Sequence, residues 1–259
     1  SISYVKWDMN RNMTEIGSTA WPAKKQKEIA HRYMLGLYKI LENITSNFPN
    51  ILFESCSGGG GRFDGGMLYY MPQTWTSDDT DAIERLMIQE GTSLVYPTSS
   101  MGSHVSAVPN HQVHRITPLN TRGVVAMAGS FGYELDVTKM NEEEKEEVKK
   151  QVEFYKNIRS TVQFGDLYRL KSSFDSNEAA WVNLSKDGKE VVVSYVKKYA
   201  EANVIPRRLK VKALDENSLY EVIETGEVFG GDELMYIGLE IGELMGDYQA
   251  KNWTLRKVD

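Results

Sequence analysis

Apolar positions recur in two rhythms along the chain, and the change from one to the other falls near Gly165. Ser3 to Trp7 reads as a short strand that runs into the polar residues Asp8, Asn10 and Arg11. After Pro22, Ile29, Tyr33, Leu37, Ile40 and Ile44 stand three and four apart, which predicts an amphipathic helix. Pro49-Asn50 ends it, and Ile51-Leu52-Phe53 reads as a buried strand. A glycine tract, Gly58 to Gly61, precedes Met67-Leu68-Tyr69-Tyr70, read as strand or loop. Asp81 with Glu84 reads as a capping box for a helix carrying Ile83, Leu86 and Met87. Ser93 to Tyr96 is a further strand candidate, and a proline-punctuated loop follows it to Pro118. Then come a helix through Arg122 to Met127 and a strand around Phe131 to Leu135. Asn141 with Glu144 caps a last helix whose face is Val148, Val152, Tyr155 and Ile158.

Beyond Gly165 the period becomes two. Leu209, Val211 and Ala213 alternate with Lys210 and Lys212, and Val191 to Val196, Tyr220 to Ile223, and Trp253 with Leu255 add strand candidates. Asp187-Gly188 and Gly230-Gly231 supply turns, so residues 164–259 are expected to form an antiparallel β domain. Residues 1–163 alternate strand and helix, which argues for parallel strands with crossover helices. Strands near residues 4, 52, 70, 94 and 132 give about five β/α units, short of the eight of a closed (β/α)8 barrel.

Composition narrows the classes. At 259 residues, with 41% hydrophobic and 25% charged side chains, the chain can bury a sizeable core. Its 36 acidic and 30 basic residues give a net charge of -6, against a design built on nucleic-acid binding. No apolar run approaches the ~18 residues that a membrane helix needs. No signal peptide is visible, and the single cysteine, Cys56, forms no intrachain disulfide. A reducing, cytoplasmic setting is therefore expected, or a piece of something larger.

Polar residues just after a parallel strand sit at the carboxyl edge, where such folds bind ligands. Asp8, Cys56-Ser57-Gly58 and Ser77-Asp78-Asp79 are placed on that rim. Two carboxylates on separate strand ends suit glycoside hydrolysis, one for the anomeric carbon and one for the leaving oxygen. Asp81 is set aside as a helix cap, and Asp79 as a supporting hydrogen-bonder. The glycine tract lacks both the P-loop ending and the dinucleotide spacing, so close backbone approach to a ligand explains it better. Trp75 offers a flat face to a sugar ring, whereas Tyr69 and Tyr70 fit core packing better. Cys56 lacks a basic neighbour in sequence that would make it a nucleophile. His104, His111 and His114, read as one loop, match no strong zinc spacing. Glu142 to Glu147 reads as a solvated helix face.

The segments Tyr4-Val5-Lys6-Trp7-Asp8-Met9-Asn10-Arg11, Cys56-Ser57-Gly58-Gly59-Gly60-Gly61-Arg62 and Trp75-Thr76-Ser77-Asp78-Asp79-Thr80-Asp81 resemble, in order, three signatures of the bacterial α-galactosidases of glycoside hydrolase family thirty-six. The loop from Met101-Gly102-Ser103-His104 to Pro109-Asn110-His111 is similar too. The resemblance implies the C-terminal part of a (β/α)8 TIM barrel, about strands four to eight, followed by an antiparallel β-sandwich domain. It implies a retaining enzyme acting on terminal α-1,6-galactose, as in melibiose and raffinose-type oligosaccharides, without a cofactor or metal. By the same resemblance Asp8 is the nucleophile and Asp78 the general acid/base. Lys6 and Asn10 bind sugar hydroxyls, Cys56 and Gly59 line the pocket, and Trp75 forms its ring wall. Lys6 and Asp8, two apart on a strand, share one face, and the lysine is expected to hold the nucleophile ionised.

Family members carry an N-terminal β domain and three earlier barrel strands that have no counterpart here, so a truncated chain, open on one side and of doubtful activity alone, is expected. The full-length protein is expected to be a homo-oligomer with oligosaccharide substrates and with neither nucleic acid nor membrane as partner. Rival readings are a galactosyl transferase of the raffinose-synthase kind, with a sugar acceptor in place of water, and a non-catalytic galactoside-binding fragment.

Overall fold

The computed structural model describes residues 2–11, 13–203 and 205–258. The chain divides into two compact units, Ser1–Asp78 and Asp79–Asp259.

In the first unit, strands β1 (Tyr4–Asp8), β2 (Leu52–Cys56) and β3 (Gln73–Trp75) are parallel and hydrogen-bonded in that order. Helix α1 (Ile29–Asn47) joins β1 to β2, and a short helix α2 (Gly65–Tyr70) precedes β3. Val5, Trp7 and Phe53 pack on Leu37, Leu41, Met67 and Met71. Alternation then sends Tyr4, Lys6, Asp8, Glu54 and Cys56 to the other face, so this sheet has one apolar and one polar side. The buried helix residues are Leu37 and Leu41; Ile40, expected on that face, is exposed. Met67–Tyr70 is helical rather than extended because the Asp64 carboxylate accepts from the Met67 N–H at 2.8 Å and caps the turn.

The second unit begins with helix α3 (Ala82–Thr92), followed by β4 (Met101–Ser106), α4 (Leu119–Ala126), β5 (Ser130–Glu134) and α5 (Glu142–Phe164). Strands β4 and β5 are parallel. Residues 93–96 are not a strand: the N–H groups of Leu94, Val95 and Tyr96 bond back to Gly91 and Thr92, closing the end of α3. The strand lies a few residues later, inside the segment read as loop. Asp81 caps α3 through the N–H groups of Ile83 and Glu84, but Glu84 turns to Arg115 instead of completing a box. Asn141 and Glu144 form the full reciprocal box on α5.

The β-rich part is a six-stranded antiparallel sheet, formed by β6 (Asp166–Lys171), β7 (Glu178–Leu184), β8 (Glu190–Lys197), β10 (Leu219–Val222), β11 (Val228–Gly230) and β13 (Gln249–Val258). Its spatial order is β11-β10-β13-β8-β7-β6. Strands β9 (Arg208–Leu209) and β12 (Leu239–Glu240) form a two-stranded second layer, with helix α6 (Gly231–Tyr236) beside it in sequence. The expected alternation at residues 209–213 yields only this short strand, although Val211 is buried. Gly231, expected in a turn, opens α6. The near-continuous apolar run of β8 has a cause. Val191, Val193 and Tyr195 face a core with Leu209, Leu234 and Trp253, while Val192 and Val196 face residues of α3, α4 and α5.

Candidate active site

The site is built on the polar face of the first sheet. In register, Lys6 lies beside Glu54 and Asp8 beside Cys56, with Gln73 on the far side of Glu54. Asp8 is the last residue of β1, and its carboxylate is exposed at the carboxyl end of the strand. Burial pushes that carboxyl up, but a hydrogen bond from Cys56, then those from Asn10 and the Met9 N–H, and last the charge of Lys6, bring it below the ordinary aspartate value. The expected lysine is thus the least of these influences. Its ammonium pairs instead with Glu54 at 3.6 Å and lies 4.7 Å from the centre of the Trp75 ring.

Cys56 is 2% exposed, and burial pushes its thiol up to about 11, helped by its hydrogen bond to Asp8. It therefore stays protonated as a donor and is a poor nucleophile. Asn10 lies beyond the strand end, yet its amide reaches Asp8 at 2.7 Å. Its oxygen accepts from the Gly58 N–H at 2.8 Å, so one side chain joins the Asp8 carboxylate to the glycine tract.

Part of that tract is glycine because the chain's own backbone approaches it closely. Gly58 and Gly59 have φ of +54° and +78°. A Cβ on Gly59 would lie 2.5 Å from the Ser77 Cα and 2.9 Å from the Asp78 nitrogen, and one on Gly60 would lie 2.9 Å from the Thr76 oxygen. The tract is the bed on which the backbone of residues 76–78 rests, and so it places Asp78, whose side chain is exposed.

Trp75 is buried, 2% exposed, with the Lys6 ammonium over its ring. Tyr69, expected in the core, is 78% exposed and meets Tyr70 edge-on. Asp79 accepts from the Asp81 N–H at 3.0 Å, the supporting role expected of it. His104 belongs to β4, 3.5 Å from Glu134, so the three histidines do not share one loop.

Arg62 and Glu54 escape a reading by motif chemistry. Arg62 donates to the carbonyls of Trp7 at 3.0 Å and Cys56 at 3.2 Å, tying the ends of β1 and β2 together. Ser57 adds a hydroxyl bond to the Met9 carbonyl at 2.7 Å. Glu54 is 1% exposed in the middle of the polar face. An isolated charge in a strand core is costly, so an acidic residue inside Leu52–Cys56 was the available signal.

Residues 1–165 match the Melibiase family and residues 178–255 the glycosyl hydrolase family 36 C-terminal domain. The chain is 62% identical to alpha-galactosidase AgaA of Geobacillus stearothermophilus over 99% of its length, and 53% identical to alpha-galactosidase Mel36A of Lactobacillus acidophilus over 100%. It spans 35% of the length of each of those proteins. The crystal structure of AgaA superposes with a TM-score of 0.96 at 61% identity, covering 99% of this chain and 36% of that one. The galactosidase domain of the alpha-galactosidase–sucrose kinase AgaSK superposes at 0.93 with 41% identity, over 100% of this chain and 35% of that one. These likenesses show the fold as α/β, part of a (β/α)8 barrel followed by an antiparallel β domain. With well over half of its residues matched by the first of these families, the chain belongs to the Melibiase family.

Proposed function

We propose that the protein carrying this chain is a retaining α-galactosidase that removes terminal α-1,6-linked galactose from oligosaccharides of the melibiose and raffinose type. The observation that carries this reading is the Asp8 carboxylate. It is exposed at a strand's carboxyl end, and three hydrogen-bond donors hold it ionised. Variants of AgaA were crystallised with raffinose and with stachyose. The aspartates substituted in those two variants stand as far apart in that sequence as Asp8 and Asp78 do here, which supports the pairing.

In the first step an Asp8 oxygen attacks the anomeric carbon while Asp78 gives its proton to the departing glycosidic oxygen, and the carbon–oxygen bond breaks. In the second, Asp78 takes a proton from water, whose oxygen displaces the Asp8 carboxylate and releases galactose with its configuration retained. Lys6 and Asn10 meet sugar hydroxyls, Cys56 and Gly59 close the pocket wall, and Trp75 backs it. Residues 1–163 form the catalytic part and residues 164–259 the accessory β domain.

Kinetics of two variants test the roles. Asp8→Asn should abolish turnover of every α-galactoside, because no other group forms the covalent intermediate. Asp78→Asn should slow melibiose far more than an activated aryl α-galactoside, whose leaving group needs little protonation. Aryl turnover surviving in Asp8→Asn, or the leaving-group pattern arising from Asp79→Asn instead, would overturn the assignment.

A further inference from the structure

Behind Asp8 on the same sheet face lies a carboxylate with partners on both neighbouring strands. Glu54 is 1% exposed, and its Oε2 accepts from the Tyr4 hydroxyl and from Gln73 Nε2 at 3.4 Å. Its Oε1 lies 3.6 Å from the Lys6 ammonium, whose side chain is 37% exposed. A carboxylate buried this deeply persists only when paired, and Lys6 is the cation that pairs it. The pairing also fixes the lysine. With Glu54 and the Trp75 ring on its inner side, the ammonium keeps its outer N–H groups toward solvent. Asp8 is two residues along the same face, close enough to feel the lysine's charge, yet its hydrogen bonds come from Cys56, Asn10 and Met9.

Resting on the α-galactosidase reading above, we propose that Glu54 is a positioning residue that holds the Lys6 ammonium over Trp75, so that the lysine meets a sugar hydroxyl instead of collapsing onto Asp8. Without that charge the lysine is free to swing to the nearest remaining carboxylate. It would then leave the hydroxyl and lower the pKa of Asp8. Glu54→Gln keeps the side chain's shape and its acceptor for Tyr4 while removing the charge.

The test measures galactose affinity by calorimetry, which needs no turnover, in the protein carrying this chain and in Glu54→Gln, Lys6→Met and the double variant. Glu54→Gln should weaken binding about tenfold, and the double variant should bind no worse than Lys6→Met alone, because both changes remove one interaction. The acidic limb of kcat/KM should also move to lower pH in Glu54→Gln, which a purely structural role would not cause. Melting temperature supplies an independent reading should Glu54→Gln fold poorly. Lys6→Met, which removes the positive charge beside a buried carboxylate, should melt lower, and adding Glu54→Gln should recover most of the loss. Additive losses of affinity, or no recovery of melting temperature, overturn the positioning role. Absence of galactose binding by the unaltered protein overturns the α-galactosidase reading itself, and the two failures are thereby told apart.

Discussion

Asp8 carries the sharpest residue-scale expectation. Its folded pKa is depressed, so the stability that its hydrogen bonds provide is fully present above the ordinary aspartate value and is lost as pH falls through the folded value. On the proposed mechanism the same proton would silence Asp8 as nucleophile, so the acidic limb of kcat/KM should lie below the ordinary aspartate range. Cys56→Ala and Asn10→Ala each remove a donor to the carboxylate and should move that limb upward, whereas Cys56→Ser keeps a donor and should not. Limbs that coincide in all four proteins would show that another group sets them. Cys56 makes a second expectation. With its thiol pushed up to about 11 and its surface buried, it should resist iodoacetamide near pH ~8 in the native protein and react promptly in urea. At this scale the sequence conveys which residues gather, because Lys6, Asp8 and Cys56 follow from strand alternation and register. It does not convey who holds whom. Lys6 is the obvious partner of Asp8 by proximity along the chain, yet Glu54, forty-eight residues later, is the carboxylate that it pairs with.

Among the elements, the glycine tract and the α3 cap give measurable stability effects. Gly59→Ala forces a side chain into left-handed backbone against the Ser77 and Asp78 main chain, so it should cost about 3 kcal/mol in urea denaturation and, on the proposed mechanism, impair the steps assigned to Asp78. Gly58→Ala shares the positive φ but meets nothing within 4 Å, and should cost only about 1 kcal/mol. Equal losses would mean that conformational strain, not the close approach, sets the requirement for glycine. Asp81→Ala should cost about 2 kcal/mol, since it removes a helix cap and takes from Arg115 one of its two carboxylate partners. Element types were legible where periodicity ran long, as in α1, α5 and β8. They were illegible at β3 and β4. Gln73–Trp75 spans three residues, and Met101–Ser106 is half polar, so neither shows an apolar run. The apolar residues Leu94 and Val95 read as strand, yet they lie in the turn that ends a helix. The helix Gly65–Tyr70 was hidden by its two leading glycines, which suppress helix propensity although Asp64 caps it.

At the scale of the whole molecule, the change of hydrophobic period near Gly165 marks a change of topology without marking a division of the core. The six-stranded sheet is buried on both faces within the unit Asp79–Asp259. On the helix side, Ala179, Val196 and Ala250 meet Ala82, Ile83, Leu86, Val124 and Val125, and Val192 meets Met127, Tyr155, Ile158 and Val162. Polar ties cross the same boundary: Thr121 donates to the Tyr248 carbonyl at 2.6 Å, Asn120 to that of Ala250 at 2.8 Å, and Arg169 to the Ser93 hydroxyl at 2.6 Å. A piece comprising residues 164–259 alone would open that face to water, at roughly 25 cal/mol for each Å² of apolar surface exposed. Large exposed patches of this kind lead to association. Residues 79–259 should therefore unfold in one cooperative transition, with β7 and β8 amides protected from hydrogen exchange as well as those of α4 and α5. Residues 164–259 expressed alone should lose that protection and self-associate. A soluble 164–259 piece that melts as the whole chain does, with β8 amides still protected, would show that the helices merely rest on a sheet able to stand by itself.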